Sequence, residues 1–208
     1  MKSNICKLNE DLTCLETVLA EVDKVTGYNG LEEKKALRIR LLAEELCGML
    51  PGLVANFSGK FWAENEGENY ELHVELKAED MSIEVRDELI SVSKSGKNAA
   101  AKGVMGRIRA VAETMLLAAF DPDLARTTVR GDLYDYHGYS MELGYIDSMT
   151  TTEKEYTYSW SLYNYKSAVE EKEDEYAELE RSIVANLADD IIVGVRGKNV
   201  AIVVKKSF

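Results

Sequence analysis

Residues 31–50, LEEKKALRIRLLAEELCGML, constrain the fold most, because their pattern is that of one long helix with a broad buried side. The segment begins after Gly30, and Pro51 is predicted to end it because proline cannot continue a helix. Apolar residues at three- and four-residue steps predict the buried side, namely Leu37, Leu41, Leu42, Leu46, Met49 and Leu50. Glu44 and Glu45 lie within this stripe, so they are either solvated carboxylates at its edge or part of a site.

Composition limits the class of protein. The chain has 208 residues, of which 46% are hydrophobic, and this is enough for a single domain spanning residues 1–208. Its 37 acidic residues against 25 basic ones give a formal net charge of -12, which argues against nucleic acid as a partner. A mean hydropathy of -0.24 argues against a membrane partner.

The cysteines and the amino terminus bear on the cellular compartment. Cys6, Cys14 and Cys47 are an odd number of cysteines without the close spacing of zinc ligands. We therefore expect reduced thiols, as in cytosolic proteins. The first residues, MKSNICKLNED, lack the continuous apolar run of a secretion signal, so the expected location is cytoplasmic.

The sequence predicts strands at residues 4–8, 53–64, 70–77 and 156–162, and in two segments of 191–206. Apolar and polar residues alternate in 70–77 and 156–162, as in half-buried strands. A short polar turn joins 53–64 to 70–77, and Arg196-Gly197-Lys198-Asn199 marks a second hairpin. His73 falls on the polar side of its strand and is expected to be exposed to solvent. Helical patterns occupy residues 12–27, 83–92, 108–120 and 167–188. The sequence therefore predicts an α+β fold with helices layered on one face of a mainly antiparallel sheet.

The segment SKSGKNAAAKGVMGRIRA, residues 93–110, is the one loop rich in both glycine and lysine. It lacks the GxxxxGK[ST] spacing of a P-loop. Lys94, Lys97, Lys102 and Arg107 precede a predicted helix, where backbone N–H groups and the helix dipole favour an anion. The alternative is a connection between helices whose lysines are solvated.

Residues 121–155 form the least regular segment, with Pro122 and several glycines spaced through it. Tyrosines are frequent from residue 134 to residue 165. Because tyrosine is common both in packed cores and at interfaces, this segment is interpreted as an insertion that packs like a lid or faces a protein partner.

Both ends of the chain resemble one protein family. Residues 41–50, LLAEELCGML, resemble the N-box helix of the histidine-kinase-like ATPases, the Bergerat-fold group, and most closely their anti-sigma-factor serine kinase branch. Residues 182–208, SIVANLADDIIVGVRGKNVAIVVKKSF, are similar to the closing helix and strands of that branch. The resemblance implies a Bergerat-like α/β sandwich.

The resemblance also implies where a nucleotide site would lie. Glu44 matches the family's general base, and the family's magnesium-binding asparagine is replaced by Gly48, which has no oxygen ligand. Asp80 matches the aspartate that contacts adenine, although both glycines of the family's DxGxG loop are missing. The remaining candidate nucleotide contacts are Lys97, Lys102, Gly103 and Gly106.

Three functions stay open at this point. The first is a regulatory protein of anti-sigma type that binds a protein partner, with ATP bound weakly and a homodimer compatible with it. The second is an ATP-dependent serine kinase or ATPase that uses Glu44 as base. The third is a small-ligand or scaffold module without a nucleotide site, in which Glu44 is an ordinary carboxylate on a helix surface.

Overall fold

The computed structural model describes residues 1–9, 13–53, 57–78, 158–169 and 182–208, together with separate helical positions between 104 and 119. The predicted helix at residues 83–92 and the segment 121–155 lie outside the described residues. Helices accompany a six-stranded antiparallel sheet, so the α+β fold class is confirmed.

The strands are β1 (Cys6–Leu8), β2 (Phe57–Glu66), β3 (Asn69–Ala78), β4 (Tyr158–Ser161), β5 (Asp190–Arg196) and β6 (Asn199–Ser207). Their order in the sheet is β1-β2-β3-β6-β5-β4, and every neighbouring pair is antiparallel. Both predicted hairpins are present, β2 with β3 and β5 with β6. Their turns contain Gly67 at φ 63° and Gly197 at φ 55°, the left-handed region that glycine adopts without steric cost.

The helices with described bounds are α1 (Leu15–Tyr28), α2 (Glu33–Leu53), α3 (Leu162–Val169) and α4 (Ile183–Leu187). The prediction that Pro51 ends α2 is wrong, because the helix continues through Pro51 to Leu53. Proline removes one backbone donor from a helix, and the full burial of Leu46 and Leu50 holds this turn against the core.

The helix predicted at residues 167–188 is not continuous. Ser182 has extended backbone angles, φ -81° and ψ 118°, and caps α4 by accepting a hydrogen bond from the N–H of Ala185. A serine that satisfies a free N–H in this way begins a helix. α3 begins at Leu162, earlier than the predicted start at residue 167, and residues 170–181 lie outside the described part of the chain.

One face of the sheet belongs to a single buried cluster. Phe61, Val74, Ile202 and Val193 lie side by side across β2, β3, β6 and β5 and are at most 1% exposed. The helices contribute the rest of the cluster, including Val18, Val22, Leu42, Leu46, Leu50, Ile108, Met115, Leu162 and Val184. Helices and sheet thus share one core.

The buried side of α2 differs in part from the prediction. Leu37 is 55% exposed and Leu41 is 37% exposed, although both were expected in the core. The buried positions instead include Ile39, Ala43 and Cys47. The side of α2 that faces the core is therefore turned about the helix axis relative to the predicted side. Leu42, Leu46 and Leu50 are buried as predicted.

Candidate functional site

The exposed side of α2 is a continuous stripe, which we call the α2 outer stripe. Burial of the opposite side leaves exposed side chains at alternating three- and four-residue steps, so they line up along the helix. Its members are Lys34, Leu37, Arg38, Leu41, Glu44, Glu45 and Gly48. The stripe therefore combines a basic first half, two leucines and an acidic second half.

The predicted base, Glu44, and Gly48, which replaces the family's magnesium-binding asparagine, both lie on this stripe. Glu44 is exposed to solvent, one turn before Gly48. A Cβ added at Gly48 meets nothing within 4 Å, so the space beside the glycine is open. Glu44 is thus accessible to a ligand or partner, but Gly48, one turn further on, has no side-chain oxygen that could share a cation with it.

The other predicted nucleotide contacts are not brought together with Glu44 by the described residues. Asp80, Lys97, Lys102 and Gly103 lie outside the described part of the chain, as do Lys94 and Arg107. Gly106 is described, and it is helical and half-buried. The nucleotide site implied by the resemblance therefore stays a prediction.

The charged residues in and beside the α2 outer stripe differ in whether they form ion pairs. Arg40 forms an ion pair with Asp23, which ties α2 to α1. Within the part of the chain that the structure describes, Arg38, Glu44 and Glu45 form no ion pair. Their charges are therefore available to a group that approaches from solvent.

A second group of charged and aromatic side chains lies on the face of the sheet opposite the core. The indole of Trp62 stacks on the ring of His73, with centroids 4.8 Å apart and planes 3° from parallel. Trp62 Nε1 donates a 2.7 Å hydrogen bond to Glu64 Oε1, which also accepts a 2.8 Å bond from Lys2 Nζ. The Nε2 atom of His73 also lies 3.2 Å from Glu71 Oε2.

His73 itself is buried, which corrects the prediction that it is exposed. Only 6% of the residue is accessible, because Trp62 lies opposite it on β2 and Val203 opposite it on β6. The missed signal was Trp62, which the hairpin register places beside residue 73. Within the described residues, His73 Nε2 has no well-aligned hydrogen bond, although Glu71 Oε2 lies only 3.2 Å away.

Electrostatics fix the charge state of the two carboxyl groups in this cluster. The neighbouring His73 ring lowers the pKa of Glu71, desolvation opposes it, and Lys205, 3.4 Å away, lowers the pKa further. Desolvation alone would raise the pKa of Glu64, but hydrogen bonds from Lys2 and Trp62 outweigh it and lower the pKa. Both groups are held as carboxylates.

The chemistry of this second cluster is structural. Glu64 is paired with Lys2 and Glu71 with Lys205, and a backbone bridge also links Lys2 to Glu64. The N–H of Ser3 also donates to the carbonyl of Ala63. The cluster therefore fastens the amino terminus to β2.

Metal binding has no candidate among the described residues. No three histidine, cysteine, aspartate or glutamate side chains in that part of the chain are arranged to hold a metal ion. Burial raises the pKa of the Cys47 thiol to about 12, which disfavours the thiolate that a metal requires. Cys6 and Cys14 are also free thiols.

Comparison with known proteins yields no relative: no family model, no curated protein and no solved structure matches the chain. None of the described helices is long and apolar enough to span a membrane. The fold and the site define an α+β protein with a six-stranded antiparallel sheet and an exposed, charged helix stripe. Any assignment of function therefore rests on the residues of this chain.

Proposed function

We propose that this is a regulatory protein of the anti-sigma-factor, histidine-kinase-like ATPase type, which binds a protein partner and has a degraded nucleotide site. The pair Glu44 and Gly48 carries the proposal. Glu44 keeps an accessible carboxylate, whereas Gly48, one turn further on, has no oxygen where the family holds magnesium. Because this helix has the base but lacks the magnesium ligand that phosphoryl transfer uses, a regulatory role fits it better than a catalytic one.

Part of the predicted order of elements supports the same proposal. Two helices and a hairpin follow β1, and a hairpin comes last, as predicted, whereas the predicted long helix is interrupted at Ser182. The described residues do not fit a magnesium ion at this helix. Phosphoryl transfer depends on positioning and on neutralising phosphate charge, so no transfer step is assigned to Glu44.

Calorimetric titration of the protein with ATP and ADP, with and without magnesium, tests this proposal. We expect weak ATP binding that does not depend on magnesium, and no release of phosphate. Magnesium-dependent hydrolysis that is lost in Glu44→Gln would refute the regulatory form and establish the enzyme alternative.

Two variants at one position sharpen the test. Gly48→Asn restores the amide oxygen of the family pattern, and Gly48→Ala adds a side chain without an oxygen. Both side chains enter open space, so both variants should fold. If a nucleotide site survives, ATP binding should become magnesium-dependent in Gly48→Asn alone. No heat from the parent protein or either variant would contradict a nucleotide site and favour the scaffold alternative.

A further inference from the structure

We propose that the α2 outer stripe pairs with the same stripe of a second copy, antiparallel, about a two-fold axis at Leu41. The stripe runs from Lys34 to Gly48, and Leu41 is its midpoint. In such an isologous contact each residue faces its mirror position, so Leu41 faces Leu41 of the other copy. This inference goes beyond the proposed function and does not require nucleotide binding.

The charge pattern selects the antiparallel arrangement. Around Leu41, Arg38 of one copy comes opposite Glu44 of the other, and symmetry repeats this contact on the opposite side of the axis. A parallel pairing would instead place Arg38 against Arg38 and Glu44 against Glu44, and such like-charge pairs are unfavourable. Within the described residues, neither Arg38 nor Glu44 has an ion-pair partner in its own chain.

The apolar and glycine positions fit the same geometry. Leu41 is 37% exposed and would meet Leu41 of the other copy. Leu37 is 55% exposed and comes opposite Glu45 of the other copy, so it would be covered by the methylene groups of that side chain. Gly48 comes opposite Lys34, and its lack of a side chain leaves room for the lysine stem. The second copy therefore covers the two leucines that the core of its own chain does not.

The expected affinity is modest. Stable interfaces bury at least about 1,200 Å² in total. Two short helix stripes with two leucines each bury less than this area. The net charge of -12 on each copy adds a long-range repulsion. We therefore expect a dissociation constant in the range of about 10 to 100 µM.

Sedimentation equilibrium on the full chain, with a charge swap, tests the pairing. Arg38→Glu and Glu44→Arg should each weaken dimerisation about tenfold or more, because each turns two attractive contacts into repulsive ones. The double variant Arg38→Glu/Glu44→Arg should restore it. The single variants shift the net charge in opposite directions, so a change in overall repulsion cannot weaken both.

A cysteine placed on the axis gives a second readout. In a Cys14→Ser background, Leu41→Cys should form a disulfide-linked dimer in oxidised glutathione, because the two-fold axis brings both copies of residue 41 together. Tyr28→Cys, whose native side chain is 78% exposed at the end of α1, is the control and should stay monomeric. Circular dichroism confirms that the variants fold.

Any of three results would refute the proposed dimer through the α2 outer stripe. A protein that remains monomeric at about 1 mM, a concentration that detects even very weak association, has no such dimer. A dimer that is unaffected by both charge reversals, or crosslinking of Tyr28→Cys as fast as Leu41→Cys, places the contact elsewhere. None of these results depends on ATP, so this inference and the proposed function can fail separately.

Discussion

Alanine at Gly59 and alanine at Gly48 should change stability in opposite directions. Gly59 lies in β2 directly between Leu8 of β1 and Leu76 of β3. A Cβ added there would lie 2.6 Å from Leu76 Cδ2, 2.8 Å from the carbonyl oxygen of Glu75 and 3.4 Å from Leu8 Cβ. The leucine can turn aside, but the carbonyl belongs to the β2–β3 pairing and moves only with the strand.

Two opposing effects set the change in the free energy of unfolding that Gly59→Ala causes. Overpacking of this kind costs about 1 to 3 kcal/mol, and replacing glycine returns about 0.5 to 1 kcal/mol of unfolded-chain entropy. Because one of the two closest atoms is backbone, we expect Gly59→Ala to lose about 2 kcal/mol. That corresponds to a fall of about 4 to 8 °C in Tm for a chain of this length.

Gly48→Ala is the matched control. Its Cβ enters open space on a helix, so the free energy of unfolding should rise by about 0.5 to 1 kcal/mol. Urea unfolding followed by circular dichroism, at protein concentrations low enough to keep the chain monomeric, measures both changes. If Gly59→Ala proves as stable as Gly48→Ala, the close approach of β1, β2 and β3 is not as described.

Three further predictions follow from burial and charge. Phe61→Ala should lower the free energy of unfolding by about 3 to 5 kcal/mol in urea titration, because Phe61 is fully buried at the centre of the core. The folded protein holds the pKa of Glu71 below its ordinary value of 4.5, so this carboxylate stabilises the fold above that pH and the contribution disappears as pH falls below it. Urea midpoints measured through that range should therefore fall less steeply in Glu71→Gln than in the parent protein. Cys47, whose thiol has a pKa of about 12, should resist iodoacetamide at pH 8 until the protein unfolds, whereas mass spectrometry should find the half-buried Cys14 labelled first.

Local patterns predicted the hairpins well because each depends on residues close in sequence. The alternation in β3 and the glycines at 67 and 197 fix both pairing and turn without reference to the rest of the chain. His73 was missed because its burial depends on neighbours from two strands. Alternation marks residue 73 as polar, but only the register shows that Trp62 and Val203 flank it.

The break at Ser182 was missed for a related reason. A serine followed by an apolar run is a start signal for a helix, but it lay inside a longer segment whose charged pattern already read as helical. The extended backbone at Ser182 and its hydrogen bond from Ala185 decide between the two interpretations. Periodicity did not show that a new helix begins after Ser182.

Periodicity alone does not determine which of the two sets of leucines in α2 is buried. Leu37 and Leu41 are spaced by one turn, and so are Leu42, Leu46 and Leu50, so both sets satisfy the rule for a buried side. Only the second set can face the sheet once Ile39, Ala43 and Cys47 are packed there. The first set is then left exposed, with Leu37 between Lys34 and Arg38 and Leu41 between Arg38 and Glu44. Leu41 lies between Arg38 and Glu44, which form no ion pair within the described residues, and this arrangement fits a self-complementary contact better than a magnesium-bound nucleotide, which would need an oxygen ligand at Gly48. Burial of Glu44 in the dimer would make it unavailable as a base there, whereas the single chain keeps it exposed, so dimerisation and use of Glu44 as a base would compete for the same side chain.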